Sequence, residues 1–376
     1  MTVQNNKILI IEPSFKGHRY KLYLKRIIQA TISANKHVLI LTRSENINIL
    51  HRDFGNQIES VVLAKSRLVN FLILKSKLFL WMVTYQKLLF LTRNNRNKNI
   101  FINTLDTYFL YLALFGFPGL GSNSLTGILL APKLRSDQLR GVLNKLKYYM
   151  RYFLFIRLLK RKYLKQILCI DPILSRIFNS DKVVSLSDWG GNPEPVDRML
   201  SRAKFDIQND ERMVLLLGSI TLRKGIKNFL KVAQASHCKT KFIIAGQFDD
   251  VAELEIKNAS QIPNCLIINR ILTNNEINEL LAATDLCWLL YSDGAYGSSG
   301  VLLQAQAVMK RVVATKQGYL GELVAEYERG ILLKEFDVDT VVDLIKQLAV
   351  DTEYGATVNV ENQRETLFIN TILRAF

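Results

Sequence analysis

Residues 213–235 read MVLLLGSITLRKGIKNFLKVAQA. An unbroken apolar run meets Gly218, and a helical pattern opens after Gly225. An apolar run without alternation marks a strand buried on both faces, and so a parallel sheet covered by helices on each side. The glycine joining strand to helix falls where such sheets bind ligands, outside the carboxyl ends of their strands.

The same unit recurs in both directions. Downstream lie KFIIAGQ (241–247), CLIINR (265–270), DLCWLLYS (285–292), RVVATK (311–316) and GILLK (330–334), with helical patterns such as NNEINELLAAT (274–284) between them. Upstream lie KILIIEP (7–13), HVLILTR (37–43), VVLAK (61–65), NIFINTLD (99–106), TGILLAP (126–132) and QILCID (166–171). A Gly/Pro-rich break, SDWGGNPEPVD (187–197), separates the two series. The expectation is an α/β protein of two Rossmann-like, doubly wound domains, 1–190 and 191–360. A final helix in 361–376 packs on either domain, with a return to the first as one option. A length of 376 residues fits two domains at about 100–200 residues each.

Composition narrows the function classes. The chain is 49% hydrophobic, enough for two full cores. Cys169, Cys238, Cys265 and Cys287 are scattered without a CxxC, which argues against a disulfide framework or zinc site and for a reducing compartment. The four histidines are equally dispersed, so no metal cluster and no cofactor motif is readable. The start, MTVQNNKILIIEPSF, lacks the basic segment of a signal peptide. The apolar stretch 69–91 is interrupted by Lys75, Lys77 and Lys87, which argues for one long amphipathic helix on a sheet and against a membrane span. A cytoplasmic protein is expected.

Net charge is +17, unevenly placed: residues 1–180 hold 29 Lys+Arg against 7 Asp+Glu, and the remainder 21 against 26. An anionic partner for the first half follows. Residues 138–167, QLRGVLNKLKYYMRYFLFIRLLKRKYLKQI, read as one basic, aromatic amphipathic helix without an acid. Such a helix suits an anionic membrane surface. A solvated basic face is the plainer reading, and nucleic acid is argued against by the lack of any nucleic-acid motif.

Three loops follow strands in the second half. In GSITLRKG (218–225), Gly218 and Gly225 permit a tight turn, and Ser219, Arg223 and Lys224 offer phosphate donors at a helix start. AGQ (245–247) supplies Gly246. In AYGSSGVLLQAQA (295–307), Ser298 and Ser299 read as hydroxyl caps, and the first amides of the helix, at Gly300 and Val301, face an anion site. Gln304 is a polar amide near the first turn of a helix that reads as buried.

Taken in order and spacing, these loops resemble the nucleotide-sugar domain of GT-B glycosyltransferases, above all retaining family 4. LLLGSITLRKGIKNFLKVA is similar to the family's GRLxxxKGxxxLIxA, FIIAGQ to its IAGxG, and GVLLQAQAVMKRVVATKQGYLGELV to its helix and following strand. The resemblance covers about 213–350; the first half is similar only in layout, with SFKGHRY (14–20) as its glycine loop. It implies two GT-B domains facing across a cleft, with a nucleotide-diphosphate sugar as donor; no DxD-type divalent-metal motif is apparent in the sequence, so transfer without a metal or cofactor is expected. By position, Lys224 contacts the donor diphosphate, and Arg223 stands in for a family arginine that is Ser219 here. The family's E-x7-E pair falls on Tyr296 and Gln304, so the carboxylate near the transferred sugar is absent. Gln304 retains a ribose-accepting oxygen. Ser298, Ser299, Gly300 and Val301 then carry more of the diphosphate, and Glu322 matches a later acidic position whose plainer reading is a helix cap.

On the acceptor side, Gly17, His18, Arg19 and Asp106 are the candidates: His18 to orient the acceptor or stabilise charge, and Arg19 to bind an acceptor phosphate. The function expected is sugar transfer to a glycan or lipid-linked acceptor at the inner membrane face, as in surface polysaccharide or glycolipid synthesis. The alternative is a non-catalytic nucleotide-sugar-binding or partner subunit with a degenerate site.

Overall fold

The computed structural model describes residues 7–15, 19–93, 99–118, 123–130, 134, 142–190, 193–194, 196–236, 239–257, 262–292, 299–351 and 358–376, the side chains of 19, 21, 22 and 358–361 excepted. The chain divides into two compact units, 1–188 with 366–376, and 189–365.

The first unit holds β1 (Lys7–Ile11), β2 (His37–Thr42), β3 (Ile58–Val62), β4 (Asn99–Ile102), β5 (Ser124–Leu129), β6 (Leu164–Cys169) and β7 (Val183–Ser185), all parallel, in the order β3-β2-β1-β4-β5-β6-β7. Because β1 pairs with both β2 and β4, the strand order reverses between β1 and β4. Alternate residues of these strands, such as Leu9, Ile11, Ile100 and Ile102, point to one face. There they pack under the helices Arg67–Lys75, Lys77–Thr92, Phe109–Leu114 and Val142–Leu159. From Thr366 on, the last helix, Val358–Ala375, lies with this unit: Phe368 and Ile372 are buried, and Asn99 Nδ2 donates to the Phe376 carbonyl at 2.8 Å.

Two helix expectations are corrected. The run 69–91 is two helices, broken at Ser76, which is extended and whose side-chain Oγ caps the second by accepting from the Phe79 amide at 3.3 Å. The basic stretch 138–167 is a helix only over Val142–Leu159; residues 138–141 lie outside the described residues. From Leu164 the chain is already β6, because Gln166–Cys169 pairs with Thr126–Leu129 and buried Ile167 and Leu168 continue the sheet core. Sheet pairing overrides a helical period when the residues are needed as a buried strand.

The second unit holds β8 (Arg212–Leu217), β9 (Thr240–Gly246), β10 (Cys265–Asn269), β11 (Leu286–Leu289), β12 (Val312–Thr315) and β13 (Gly330–Leu333), all parallel, in the order β10-β9-β8-β11-β12-β13. Its order reverses between β8 and β11. Where these strands begin, Asp285 is 1% exposed and receives Arg198 Nη2 at 2.7 Å, Arg202 Nη1 at 3.1 Å and the amides of Met213 and Asp351, both at 2.7 Å. Asp351 in turn pairs with Arg329 at 2.7 Å. Lys310, fully buried nearby, has its ammonium pKa lowered to about 8, chiefly by burial and then by Arg198, against the pull of Asp351 and Asp285.

Candidate donor site at the carboxyl edge of the second sheet

At the other end of the same strands, the loops after β8 and β9 are zipped together. The Gly218 amide donates to the Ala245 carbonyl at 3.0 Å, and the Ile220 amide to Gln247 at 2.8 Å. Gly218 and Gly246 both have positive φ, +108° and +137°, and a Cβ on Gly246 would stand 1.9 Å from the Gly218 carbonyl oxygen. Only glycine fits that approach.

Past Gly218 the chain makes a single 3-10 turn, Leu222–Lys224, and Gly225 then opens the helix Ile226–Ala235. A Cβ on Gly225 would lie 2.1 Å from the Leu290 carbonyl, so this glycine seats the turn against the chain leaving β11. Two hydrogen bonds hold it there: the Ser292 amide to the Arg223 carbonyl at 3.0 Å, and Ser292 Oγ to the Leu222 carbonyl at 2.6 Å. The loops after β8 and β11 thus meet at the point where the strand order reverses, the place at which open parallel sheets bind ligands.

The result is a buried cation. Lys224 is 7% exposed, and its Nζ donates to Tyr291 Oη at 2.6 Å while lying 4.4 Å from the centre of that ring. Tyr291 Oη is 2.8 Å from Ser299 Oγ, and Ser299 is itself buried. Among the described residues no carboxylate pairs with Lys224. An ammonium has three N–H donors, and Tyr291 takes one. A buried charge met only by hydroxyl dipoles is costly until an anion arrives.

Ser299 corrects the capping expectation. It stands at the N-cap of the helix Gly300–Ala307, yet its hydroxyl makes no cap hydrogen bond; it is turned to Tyr291 instead. The first helix amides, at Gly300 and Val301, have no acceptor within their own helix and add the positive end of its dipole. Val301 joins the β8 loop, its Cγ2 lying 3.6 Å from where a Cβ on Gly218 would be, and Lys224 Nζ lies 3.8 Å from that same point. Gly218, Lys224, Ser299, Gly300 and Val301 therefore form one group.

The other candidates are placed as follows. Arg223 is exposed, with its guanidinium 5.8 Å from the centre of the Tyr291 ring, and Ser219 is exposed on the same loop. Gln304 is half-buried. Glu322 is exposed inside the helix Gly318–Ala325, so it does not cap that helix. Tyr296 and Ser298 lie outside the described residues, as do Gly17 and His18. Arg19 starts a π-helical turn, Arg19–Leu24. Asp106 is not at a strand end: β4 stops at Ile102, and Asp106 sits in a 3-10 turn where its Oδ2 accepts from the Leu130 amide at 2.8 Å, tying the end of β5.

Two residues went unnoticed in the sequence. Tyr291 closes the apolar run LLY and reads there as core; its one signal is a hydroxyl at the strand's carboxyl end. Glu12, 2% exposed, ends β1 in the same way. Its carboxylate accepts from the Ser14 amide at 3.0 Å, Asn103 Nδ2 at 2.8 Å and Thr104 Oγ1 at 2.7 Å, which joins the loops after β1 and β4 at the first sheet's reversal point.

Two parallel, doubly wound units of this kind define the GT-B class, and solved structures of that class match across the chain. Anabaena HepE, solved with UDP and glucose, matches at 15% identity and a TM-score of 0.63, covering 99% of this chain and 95% of its own. Sucrose-phosphate synthase from Thermosynechococcus elongatus matches at 15% identity and 0.66, with 99% and 94% covered. WaaG, a glycosyltransferase involved in lipopolysaccharide biosynthesis, matches at 16% and 0.62, with 98% and 94% covered. The family model of the group 1 glycosyl transferases matches residues 197–363, within the second unit. No curated protein matches by sequence.

Proposed function

We propose that this chain transfers a sugar from a nucleotide-diphosphate sugar to a glycan or lipid-linked acceptor at the cytoplasmic membrane face, in surface polysaccharide or glycolipid synthesis. The observation that carries the donor half is Lys224, a buried ammonium at the sheet's reversal point beside a helix N-terminus. The donor diphosphate supplies the missing counter-charge, taken by Lys224, Ser299 and the amides of Gly300 and Val301, with Arg223 at the exposed rim. Gln304 accepts from the ribose. As the sugar–phosphate bond breaks, negative charge grows on the departing diphosphate, and the same preorganised groups stabilise it. Positioning and this electrostatic term need no covalent step. Transfer with retention and without a metal completes the proposal. Its acceptor is received by the first unit, through the loop holding His18 and Arg19.

Stabilisation against heat by UDP and a panel of nucleotide sugars tests the donor site, because a bound donor raises apparent stability by mass action. Lys224→Ala is expected to weaken donor binding about 10- to 100-fold, the worth of a charge-assisted hydrogen bond to phosphate. Unchanged affinity in that variant removes Lys224 from the site. Gln304, an amide where the resembled family has a carboxylate, favours a second reading: donor binding without transfer. Turnover across an acceptor panel decides between them.

A further inference from the structure

Among the described residues, the helices Arg67–Lys75, Lys77–Thr92, Phe109–Leu114 and Val142–Leu159 lie over one face of the first sheet and form a single layer. Trp81 of Lys77–Thr92 meets Tyr111 and Phe115 at ring distances of 6.2 and 5.4 Å, and Phe109 of Phe109–Leu114 meets Phe155 of Val142–Leu159 at 6.0 Å. The helix Arg67–Lys75 joins the layer through buried Ile73 in the same core. Their inward residues are ordinary core. Their outward residues are not: Phe71 is 54% exposed, Leu74 57%, Phe90 76%, Leu146 65% and Phe153 63%. Scattered exposed apolar groups need no explanation, but a layer of helices that each carry them marks an interaction surface.

The charge on this layer is of one sign. The four helices contain no aspartate or glutamate and eight lysines and arginines. The cations stand among the apolar groups, as where exposed Lys75 Nζ lies 5.8 Å from the centre of the exposed Phe71 ring. Among the described residues no helix is long and apolar enough to cross a membrane. A partner protein commonly offers both signs of charge; an anionic bilayer offers one sign of charge above hydrocarbon, which matches bulky apolar side chains interleaved with cations and lacking any acid.

We propose that the outer surface of this four-helix layer, including the pair Arg67–Lys75 and Lys77–Thr92, docks in the plane of an anionic lipid bilayer. The apolar side chains enter the headgroup boundary and the lysines and arginines meet the lipid charge. This deepens the membrane-face location proposed above and does not depend on the donor chemistry. The test is co-sedimentation of the full chain with phosphatidylglycerol-containing vesicles, pure phosphatidylcholine vesicles, or RNA, at low and high salt. Binding to the anionic vesicles is expected to exceed that to the neutral ones by about tenfold or more. Phe71→Ser with Phe90→Ser, and separately Phe153→Ser, are each expected to weaken it several-fold and to remove the binding that survives high salt. Lys75→Glu with Lys77→Glu should weaken binding mainly at low salt. All are exposed positions, so melting temperature and donor stabilisation should match the unaltered chain, which separates a failure here from a failure of the donor site. No preference for anionic vesicles, vesicle binding indifferent to the phenylalanine changes, or preference for RNA overturns the proposal.

Discussion

At the amino edge of the second sheet, Asp285 gathers two arginines and two amides, and Asp351 gathers a third arginine. At the carboxyl edge of the same sheet, about one strand length away, Lys224 meets Tyr291 and, beyond it, Ser299. Both edges bury charge. One supplies its counter-charges from the chain itself, whereas the other presents a cation to hydroxyl groups. A closed network of ions holds elements in place; an open one waits for a ligand. The difference separates architecture from function within a single sheet.

The largest effect should come from opening the closed edge. Asp285→Ala strands Arg198 and Arg202 without their carboxylate and is expected to cost about 3–5 kcal/mol, read as a fall in the midpoint of urea unfolding. Donor affinity, measured well below the transition, should barely move; a specific loss of affinity at full stability would erase the distinction between the edges.

Next comes pH. Lys310 titrates at about 8 in the fold and near 10.5 when unfolded. Between those values the unfolded chain holds a proton that the folded chain has released, so stability rises with pH across that window. The penalty of burying the ammonium is complete below pH 8 and gone above 10.5. Relative to Lys310→Met, the unaltered chain should gain about 1–3 kcal/mol on going from pH 8 to 10.5, by paired denaturant titrations. A parallel pair of curves breaks the assignment.

The open edge should respond in the opposite sense to the closed one. Lys224→Met removes a buried, uncompensated charge, so the ligand-free protein should hold or gain stability, by up to about 1 kcal/mol, while donor stabilisation disappears. Loss of both together would make Lys224 an architectural residue like Arg202.

The smallest effect tests Tyr291. Tyr291→Phe keeps the ring beneath Lys224 but removes the oxygen that holds Nζ, and should weaken donor binding by about three- to tenfold, near 1 kcal/mol. Titration calorimetry with UDP reads this directly. If Tyr291→Phe binds as tightly as the unaltered chain, the Lys224–Tyr291–Ser299 chain has no part in presenting the cation.

How much of this was readable beforehand depends on the range over which each residue's role is set. Strand β8, its glycine loop and the following helix were legible because an apolar run, a glycine and a 3.6-residue period are local signals. Lys224 was reached through resemblance to a known motif. Tyr291 was not, since a tyrosine ending an apolar run looks like core until a lysine from another loop meets it. Asp285, between Thr284 and an apolar strand, gave no hint of the arginines that close around it from residues 198 and 202. The helix Val142–Leu159 was overextended to 167, into residues that the apolar run QILCID (166–171) already marked as strand, because Lys160–Lys165 carries no glycine or proline to stop the helical pattern.

By itself the sequence determined two series of buried parallel strands, glycines at the carboxyl ends of β8 and β9, and a first half rich in cations. These follow from periodicity, backbone sterics and charge, all of which are properties of short segments. Tertiary structure alone decided which cation is neutralised and which is left open, and which apolar helix faces share one surface. Those outcomes depend on side chains far apart in the chain meeting in space.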